Sequence, residues 1–227
     1  MILFCTLAPS GSLHANTVRT TVTFIPDSSW LSVAMWTFGG VREDVTFVSG
    51  SVVLDVELNA FNQPIRFEIE SASLSTTPLT FDFVEETIDL TTLGGTLDDE
   101  DRSVSVSDGR FDASRVILTF DSGLALSSGL EIADFSTDPI FDHGFANGGL
   151  TITPNADRPS LLDVRFTYPA RLFARVTSDV DVDLEGNLVA VGIIAIPEPS
   201  AFWVLIIGSV PLTVSFLRTA RRRARAR

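Results

Sequence analysis

The stretch Ser49–Asn59, SGSVVLDVELN, carries the strongest structural signal in the chain, because its apolar residues recur at every second position. Val52, Leu54, Val56 and Leu58 fall on one face of an extended backbone, and two acidic side chains fall on the other. An amphipathic helix would instead repeat its apolar residues three and four positions apart. The stretch therefore predicts an antiparallel β-strand with one buried and one solvated face.

The same period of two continues on both sides of this strand. In PIRFEIESASL (64–74), Ile65, Phe67 and Ile69 are predicted to point inward, with charged residues between them. Thr, Val, Ser and Phe dominate the alternating segments, and long amphipathic helical patterns are missing from the sequence. The other predicted strands cover residues 17–25, 31–38, 102–111, 114–120, 161–168, 171–184 and 187–196.

Two regions interrupt the alternation. Glu185-Gly186-Asn187 predicts a turn before the last strand, and Asp121–Arg158, rich in Gly, Asp, Pro and Asn, predicts long loops with one or two strands. Short strands separated by Gly, Asp and Pro turns are typical of sandwiches and barrels. We therefore expect residues 16–196 to form one all-β domain, either a sandwich or a barrel.

Charge is distributed unevenly along the chain of 227 residues, which has a formal net charge of −13. All 16 basic residues are arginines, and six of them follow Pro197. The body before Pro197 holds ten arginines and 28 of the 29 acidic residues, which gives it a formal charge of −18. Such a body repels nucleic acid and anionic lipid, so nucleic-acid binding is excluded as an expected function.

The C-terminal segment combines an apolar run with a basic end. Ala201–Leu217 is 17 residues long without a charge, close to the lower limit of roughly 17–25 residues for a membrane-spanning helix. We predict a single C-terminal transmembrane helix, weakened by Pro211; a buried core helix and a plain C-terminal anchor are the alternatives. The arginines set the topology by staying in the cytoplasm; they are Arg218, Arg221, Arg222, Arg223, Arg225 and Arg227.

A short polar motif, Pro197-Glu198-Pro199-Ser200, immediately precedes the apolar run. Its two prolines favour an extended backbone, the form in which proteases bind their substrates. Motif, apolar run and arginine-rich end together resemble a PEP-CTERM sorting signal over residues 197–227. The resemblance implies an exported bacterial protein held in the inner membrane and then cut near the motif by an exosortase, a membrane transpeptidase. It also implies a link to exopolysaccharide and biofilm matrix.

The N-terminal residues 1–15 predict a signal peptide. Ile2–Ala8 is apolar, and Leu13-His14-Ala15 is compatible with cleavage after Ala15. No positive charge precedes this short apolar stretch, which fits a signal whose true start lies upstream; an ordinary N-terminus is the alternative. The single cysteine, Cys5, would leave with the signal, so no disulfide is expected in the mature protein.

Few residues suggest catalysis. His143, beside Asp142 in FDHGFANGG, is interpreted as a loop histidine without a role, because no Gly-x-Ser-x-Gly nucleophile motif accompanies it. One usable histidine does not make a His/Cys metal site, and no paired-carboxylate signature of a glycoside hydrolase is visible. We therefore expect neither an enzyme nor a tightly bound cofactor.

Acidic clusters provide the candidates for calcium. The run Asp98, Asp99, Glu100 and Asp101 offers hard oxygen ligands, although a solvated loop is the preferred interpretation. The aspartates 179, 181 and 183 alternate with apolar residues and lack the glycine that an EF-hand needs at its sixth position, so we interpret them as the solvent face of a strand.

Trp30 and Trp36 share one face of a predicted strand with Ser32 and Ala34. Exposed tryptophans can stack on the sugar rings of a matrix polysaccharide, but packing in the core is the preferred interpretation.

These expectations define a non-catalytic surface or matrix protein with a structural or interaction role. The alternative is an extracellular β-barrel module that holds an apolar or lipid molecule. The segments 24–36, 48–58 and 65–75 resemble, in pattern, the lipocalin-like barrels of the YceI family, which enclose an apolar chain.

Overall fold

The computed structural model describes residues 16–100 and 102–196, and this part of the chain has an all-β, sandwich-like fold. The predicted all-β class is therefore confirmed. The strands, numbered in chain order, are β1 (Asn16–Phe24), β2 (Trp30–Thr37), β3 (Gly40–Leu58), β4 (Pro64–Thr76), β5 (Leu79–Asp82), β6 (Thr87–Leu90), β7 (Gly94–Asp98), β8 (Val104–Ser105), β9 (Arg110–Asp112), β10 (Ile117–Ser122), β11 (Leu124–Ser127), β12 (Leu130–Asp134), β13 (Ile140–His143), β14 (Asn147–Pro154), β15 (Leu161–Arg175) and β16 (Asp181–Ala195).

Among the described residues, no helix has the length and apolar character needed to cross a membrane. The segment 201–217, which is predicted to form a transmembrane helix, lies outside the described residues, as does the predicted signal peptide 1–15.

The long strand β3 contains the stretch with the strongest alternation. Val52, Leu54 and Val56 are completely buried and Leu58 is 2% exposed, as the sequence predicts. Each fully buried side chain of this size contributes about 1.5–3 kcal/mol. β3 pairs with β4 on one side and with both β1 and β2 on the other, so it is a central strand of the large sheet.

β1 and β2 lie end to end in the large sheet, and both pair with β3 on one side and with β16 on the other. A 3₁₀ turn at Pro26–Ser28 separates them. Ser29, which is completely buried, fills the interruption: its hydroxyl donates to the carbonyl of Val189 at 2.8 Å and accepts from the Val189 N–H at 2.9 Å. Because buried backbone groups must be satisfied, this serine preserves the sheet where the strand is broken.

The larger sheet has 12 strands and the smaller one has 4. The larger has the order β13-β10-β7-β4-β3-β1-β16-β15-β14-β9, with β2 between β3 and β16 and β8 beside β4, and the smaller has the order β12-β11-β6-β5. The ring of Phe67 on β4 lies 6.0 Å from that of Phe166 on β15 and 4.9 Å from that of Phe111 on β9. Since β4 and β15 stand on opposite sides of β1 in the order, the large sheet curves back on itself and encloses the core.

Two features of the predicted strand pattern are wrong. No turn occurs at Glu185–Asn187, because β16 runs through all three residues. Gly186 provides close approach to β2 rather than a turn: a Cβ atom there would lie 2.1 Å from the carbonyl oxygen of Trp30. The predicted loop region Asp121–Arg158 instead holds β11, β12, β13 and β14, and the end of β10. Two of the pairings join strands that are not consecutive along the chain, β13 with β10 and β11 with β6, and local composition does not reveal such pairings.

Two further details differ from the prediction. Ile65 is 38% exposed instead of buried, although Phe67 is completely buried as expected. The pairing of β3 with β4 shifts register between Glu57 and Leu58, and the shift turns the start of β4 outward. The segment predicted as one strand over 171–184 is divided by a hairpin connection at residues 176–180.

Candidate functional site

The outward face of β2 carries both tryptophans of the body. Leu31, Val33 and Met35 point into the core, so the alternate residues of the strand must face solvent. Trp30 is 40% exposed and Trp36 has intermediate exposure. The preferred interpretation of these tryptophans as core residues is therefore wrong, because the apolar column between them already occupies the buried face.

A shallow groove of about 340 Å³ runs along this face and is called the tryptophan groove below. Strand β2 provides its floor, and the neighbouring strands β3 and β16 provide acidic side chains at its sides. Its lining residues are Trp30, Ser32, Ala34, Trp36, Glu43, Asp183 and Glu185. At roughly 3.3 Å per residue, the six-residue separation places the two tryptophan Cα atoms about 20 Å apart.

The two sides of the tryptophan groove differ in chemistry. On the β3 side, Val41, Val45 and Phe47 expose 48%, 43% and 46% of their surface and lie beside Trp36, Ser32 and Trp30 in the strand register. On the β16 side, Asp181, Asp183 and Glu185 lie beside Trp36, Ala34 and Ser32. The β3 flank is therefore mainly apolar, with Glu43 opposite Ala34 among its apolar residues, and the β16 flank is acidic.

The carboxylates of the groove have few partners. Glu43 accepts a hydrogen bond from the Ser32 hydroxyl at 2.6 Å, whereas Oδ1 of Asp183 is buried and has no hydrogen-bond partner in the described part of the chain. Within that part, no arginine forms an ion pair with Glu43, Asp183 or Glu185; the nearest such pair joins Arg175 to Asp181 at 2.9 Å. Within residues 16–100 and 102–196, these three carboxylates therefore have no basic side chain as an ion-pair partner.

The acidic run 98–101 is placed at the end of β7. Oδ1 of Asp98 accepts from the Glu100 N–H at 2.9 Å, and Glu100 takes a positive φ of 54°. Asp99 is only 2% exposed, so it does not lie in a solvated loop as preferred from the sequence. Asp101 lies outside the described residues.

The side chain of Asp99 turns into the sheet beside β4. Its Oδ2 accepts from the Ile69 N–H at 2.8 Å, and burial raises the pKa of its carboxyl group, with the nearby charges of Asp98 and Glu68 acting in the same direction. A pocket of about 250 Å³ lies here, lined by Asp99, Glu68, Ile69 and Glu70. In the described residues, no three His, Cys, Asp or Glu side chains come together in a way that would hold a metal ion.

The remaining sequence candidates are dispersed. His143 ends β13 and is exposed, and the carboxylate of Asp142 accepts from its backbone N–H at 2.7 Å. Asp181 and Asp183 alternate with the buried Val182, which confirms the strand interpretation, whereas Asp179 belongs to the connection before β16. The sorting motif Pro197, Glu198, Pro199 and Ser200, and the arginines that follow it, lie outside the described residues.

Comparison with protein-family models, with curated proteins and with solved structures finds no match to this chain. A functional role of the tryptophan groove is therefore inferred from its geometry alone.

The sequence did not predict that Glu43 and Glu185 lie beside the tryptophans. A signal for Glu43 exists in the Gly-Gly pair at 39–40, because a short turn there fixes the register of β2 with β3 and brings Glu43 opposite Ala34. No comparable local signal exists for Glu185, since β16 is more than 140 positions away in sequence from β2.

Proposed function

We propose that this chain is an exported bacterial surface or matrix protein that is sorted and cleaved through its C-terminal segment. The observation that carries the proposal is the order of three features after the last strand: Pro197–Ser200, the uncharged run 201–217 and six arginines. β16 ends at Ala195, so the motif follows the body directly. A cut near the motif would therefore leave every described strand in the mature protein.

The proposed partners follow from the same segment. The apolar run forms a single transmembrane helix that holds the protein in the inner membrane, with the arginines on the cytoplasmic side and the acidic body outside. An exosortase-type membrane transpeptidase then recognises Pro197–Ser200 and releases the body to the cell surface or the extracellular matrix.

The body has a non-catalytic structural or interaction role in this proposal, linked to exopolysaccharide. The alternative, an extracellular β-barrel that holds an apolar or lipid molecule, needs an open interior. Edge-to-face contacts of Phe67 with Phe111 and Phe166, and the stacked pair that Phe111 and Phe166 form at 5.5 Å, favour a filled interior at this point of the core.

Cell fractionation with a motif variant tests the sorting proposal. In a host that produces an exosortase, we expect the wild-type protein at the surface or in the medium and the double variant Pro197→Ala, Pro199→Ala in the inner membrane. Pro78→Ala, an exposed proline of the body, is the matched control and should be released like the wild type. Equal release of the double variant and the control would refute recognition of the motif.

A further inference from the structure

We propose that the tryptophan groove binds a polysaccharide chain that carries free amino groups, that is, a polymer containing de-N-acetylated amino sugars. This inference deepens the proposed function, on which it rests for the matrix setting, and it names the class of ligand and the face that recognises it. Three properties of the groove support it: the spacing of the two aromatic rings, the carboxylates that have no basic partner among the described residues, and a floor without a free strand edge.

The aromatic spacing suits an extended polymer. A pyranose ring has an apolar face of C–H bonds that packs against the flat face of an aromatic side chain, while its polar groups point sideways. Trp30 and Trp36 lie on one face of a single strand, about 20 Å apart, with only the small Ser32 and Ala34 between them. A chain several sugars long can therefore contact both rings at once.

The charge of the groove selects among polysaccharides. Glu43, Asp183 and Glu185 are hydrogen-bond acceptors without an arginine partner in the described part of the chain, and Oδ1 of Asp183 lacks any donor there. An ammonium group donates hydrogen bonds and neutralises such carboxylates, and tryptophan is the aromatic side chain that attracts cations most strongly. An acidic polysaccharide would meet repulsion here and from the body as a whole.

A cationic peptide fits the groove less well than a glycan. Extended peptides commonly bind a sheet by adding a strand to a free edge, with main-chain hydrogen bonds supplying the affinity. β2 is paired on both sides, with β3 and with β16, so the floor of the groove has no free edge. Recognition must therefore come from the side chains above the sheet, and stacking on Trp30 and Trp36 suits sugar rings.

A second copy of the chain is also a poor occupant. Two copies meeting through this face would form an isologous contact that brings the carboxylates of both grooves together. With no cation between them, these like charges would repel.

Isothermal titration calorimetry on the full chain in detergent tests the proposal, with a glucosamine hexamer as the probe. We expect the wild type to bind, Trp36→Ala and Trp30→Ala each to weaken binding about tenfold through the loss of ring contact, and Asp183→Asn to weaken it by a similar factor. Phe61→Ala, which removes an 83% exposed ring in the turn between β3 and β4, is the matched control and should bind as the wild type does.

Ligand controls separate charge from shape. An N-acetylglucosamine hexamer should bind at least several-fold more weakly, and a galacturonic acid hexamer should not bind. The proposal is overturned if the acetylated hexamer binds as tightly as the amine form, if the tryptophan variants keep full affinity, or if an arginine nonapeptide binds through the groove and the glucosamine hexamer does not. Equal unfolding temperatures of the variants would show that a loss of binding is local.

Binding and sorting can fail independently. The titration uses unprocessed protein, so cleavage near Pro197 has no influence on it. Loss of binding with normal release of the protein would refute the groove ligand alone, whereas normal binding with no release would refute the sorting proposal alone.

Discussion

Asp99 illustrates how burial and hydrogen bonding oppose each other at one carboxyl group. Burial is the largest influence and raises its pKa, whereas the hydrogen bond from the Ile69 N–H favours the charged form and lowers it. Because the folded state holds the proton more tightly than the unfolded state does, this group's contribution to stability declines as the pH rises above about 4, the usual range for aspartate.

The substitution Asp99→Asn should therefore stabilise the protein at neutral pH. The amide oxygen can still accept from Ile69, while the cost of burying a charge disappears. We expect a higher free energy of unfolding than the wild type at pH 7, and a smaller difference at pH 3, where the wild-type carboxyl is also neutral. Urea denaturation of both proteins at the two pH values measures this.

Asp157→Asn is the control for that comparison, because Asp157 is exposed and is not among the charges that act on the carboxyl group of Asp99. A destabilised Asp99→Asn protein at pH 7 would contradict the account. If calcium raised the unfolding temperature of the wild type and Asp99→Asn abolished that effect, the acidic run 98–101 would be a calcium site after all.

The sequence predicts the burial of Asp99 only in part. Leu97 and Asp99 have the same parity in an alternating segment, so the period of two places both inward. Four consecutive acidic residues instead suggest a solvated loop. The sequence pattern could not predict that Asp99 is buried, because its carboxylate is the acceptor for the backbone N–H of Ile69 on another strand. Ile69 lies beside the register shift of β3 and β4 at Val53 and Leu54.

Gly186 is the residue of strand β16 that permits close contact with β2. A Cβ atom at this position would lie 2.1 Å from the carbonyl oxygen of Trp30 and 2.9 Å from the Cα atom of Leu31. Both are backbone atoms, so the clash cannot be relieved by a side-chain rotation. We expect Gly186→Ala to lower the free energy of unfolding by about 1–3 kcal/mol through overpacking, as measured by urea denaturation.

Gly39→Ala is the matched control for this strand contact. A Cβ atom at Gly39 would come no closer than 3.3 Å to any neighbour, and that neighbour is the side-chain hydroxyl of Thr37. A Gly186→Ala protein as stable as the Gly39→Ala protein would mean that β2 and β16 do not approach as described.

Strand prediction succeeded where the alternation was long and failed where it was short. In β3 the apolar residues at every second position are all buried, namely Val52, Leu54, Val56 and Leu58. In β11 the apolar residues Leu124, Ala125 and Leu126 are consecutive, and only Ala125 is buried. So short a strand shows no clear period, and its pairing with β6 and β12 fixes its conformation.

The topology of the whole body fits removal of the C-terminal segment. β16 pairs with β1, which places the last strand in the middle of the large sheet beside the first. A cut after Ala195 therefore removes none of the described strands. The sequence could not distinguish a sandwich from a barrel, because the curvature of the sheet depends on distant contacts such as Phe67 with Phe166.

Intact-mass analysis of the protein released by an exosortase-containing host tests the sorting proposal most directly. We expect a mature C-terminus near Pro197–Ser200, with the apolar run 201–217 and all six C-terminal arginines absent from the measured mass. A released protein whose C-terminus lies beyond Leu217 would contradict the account.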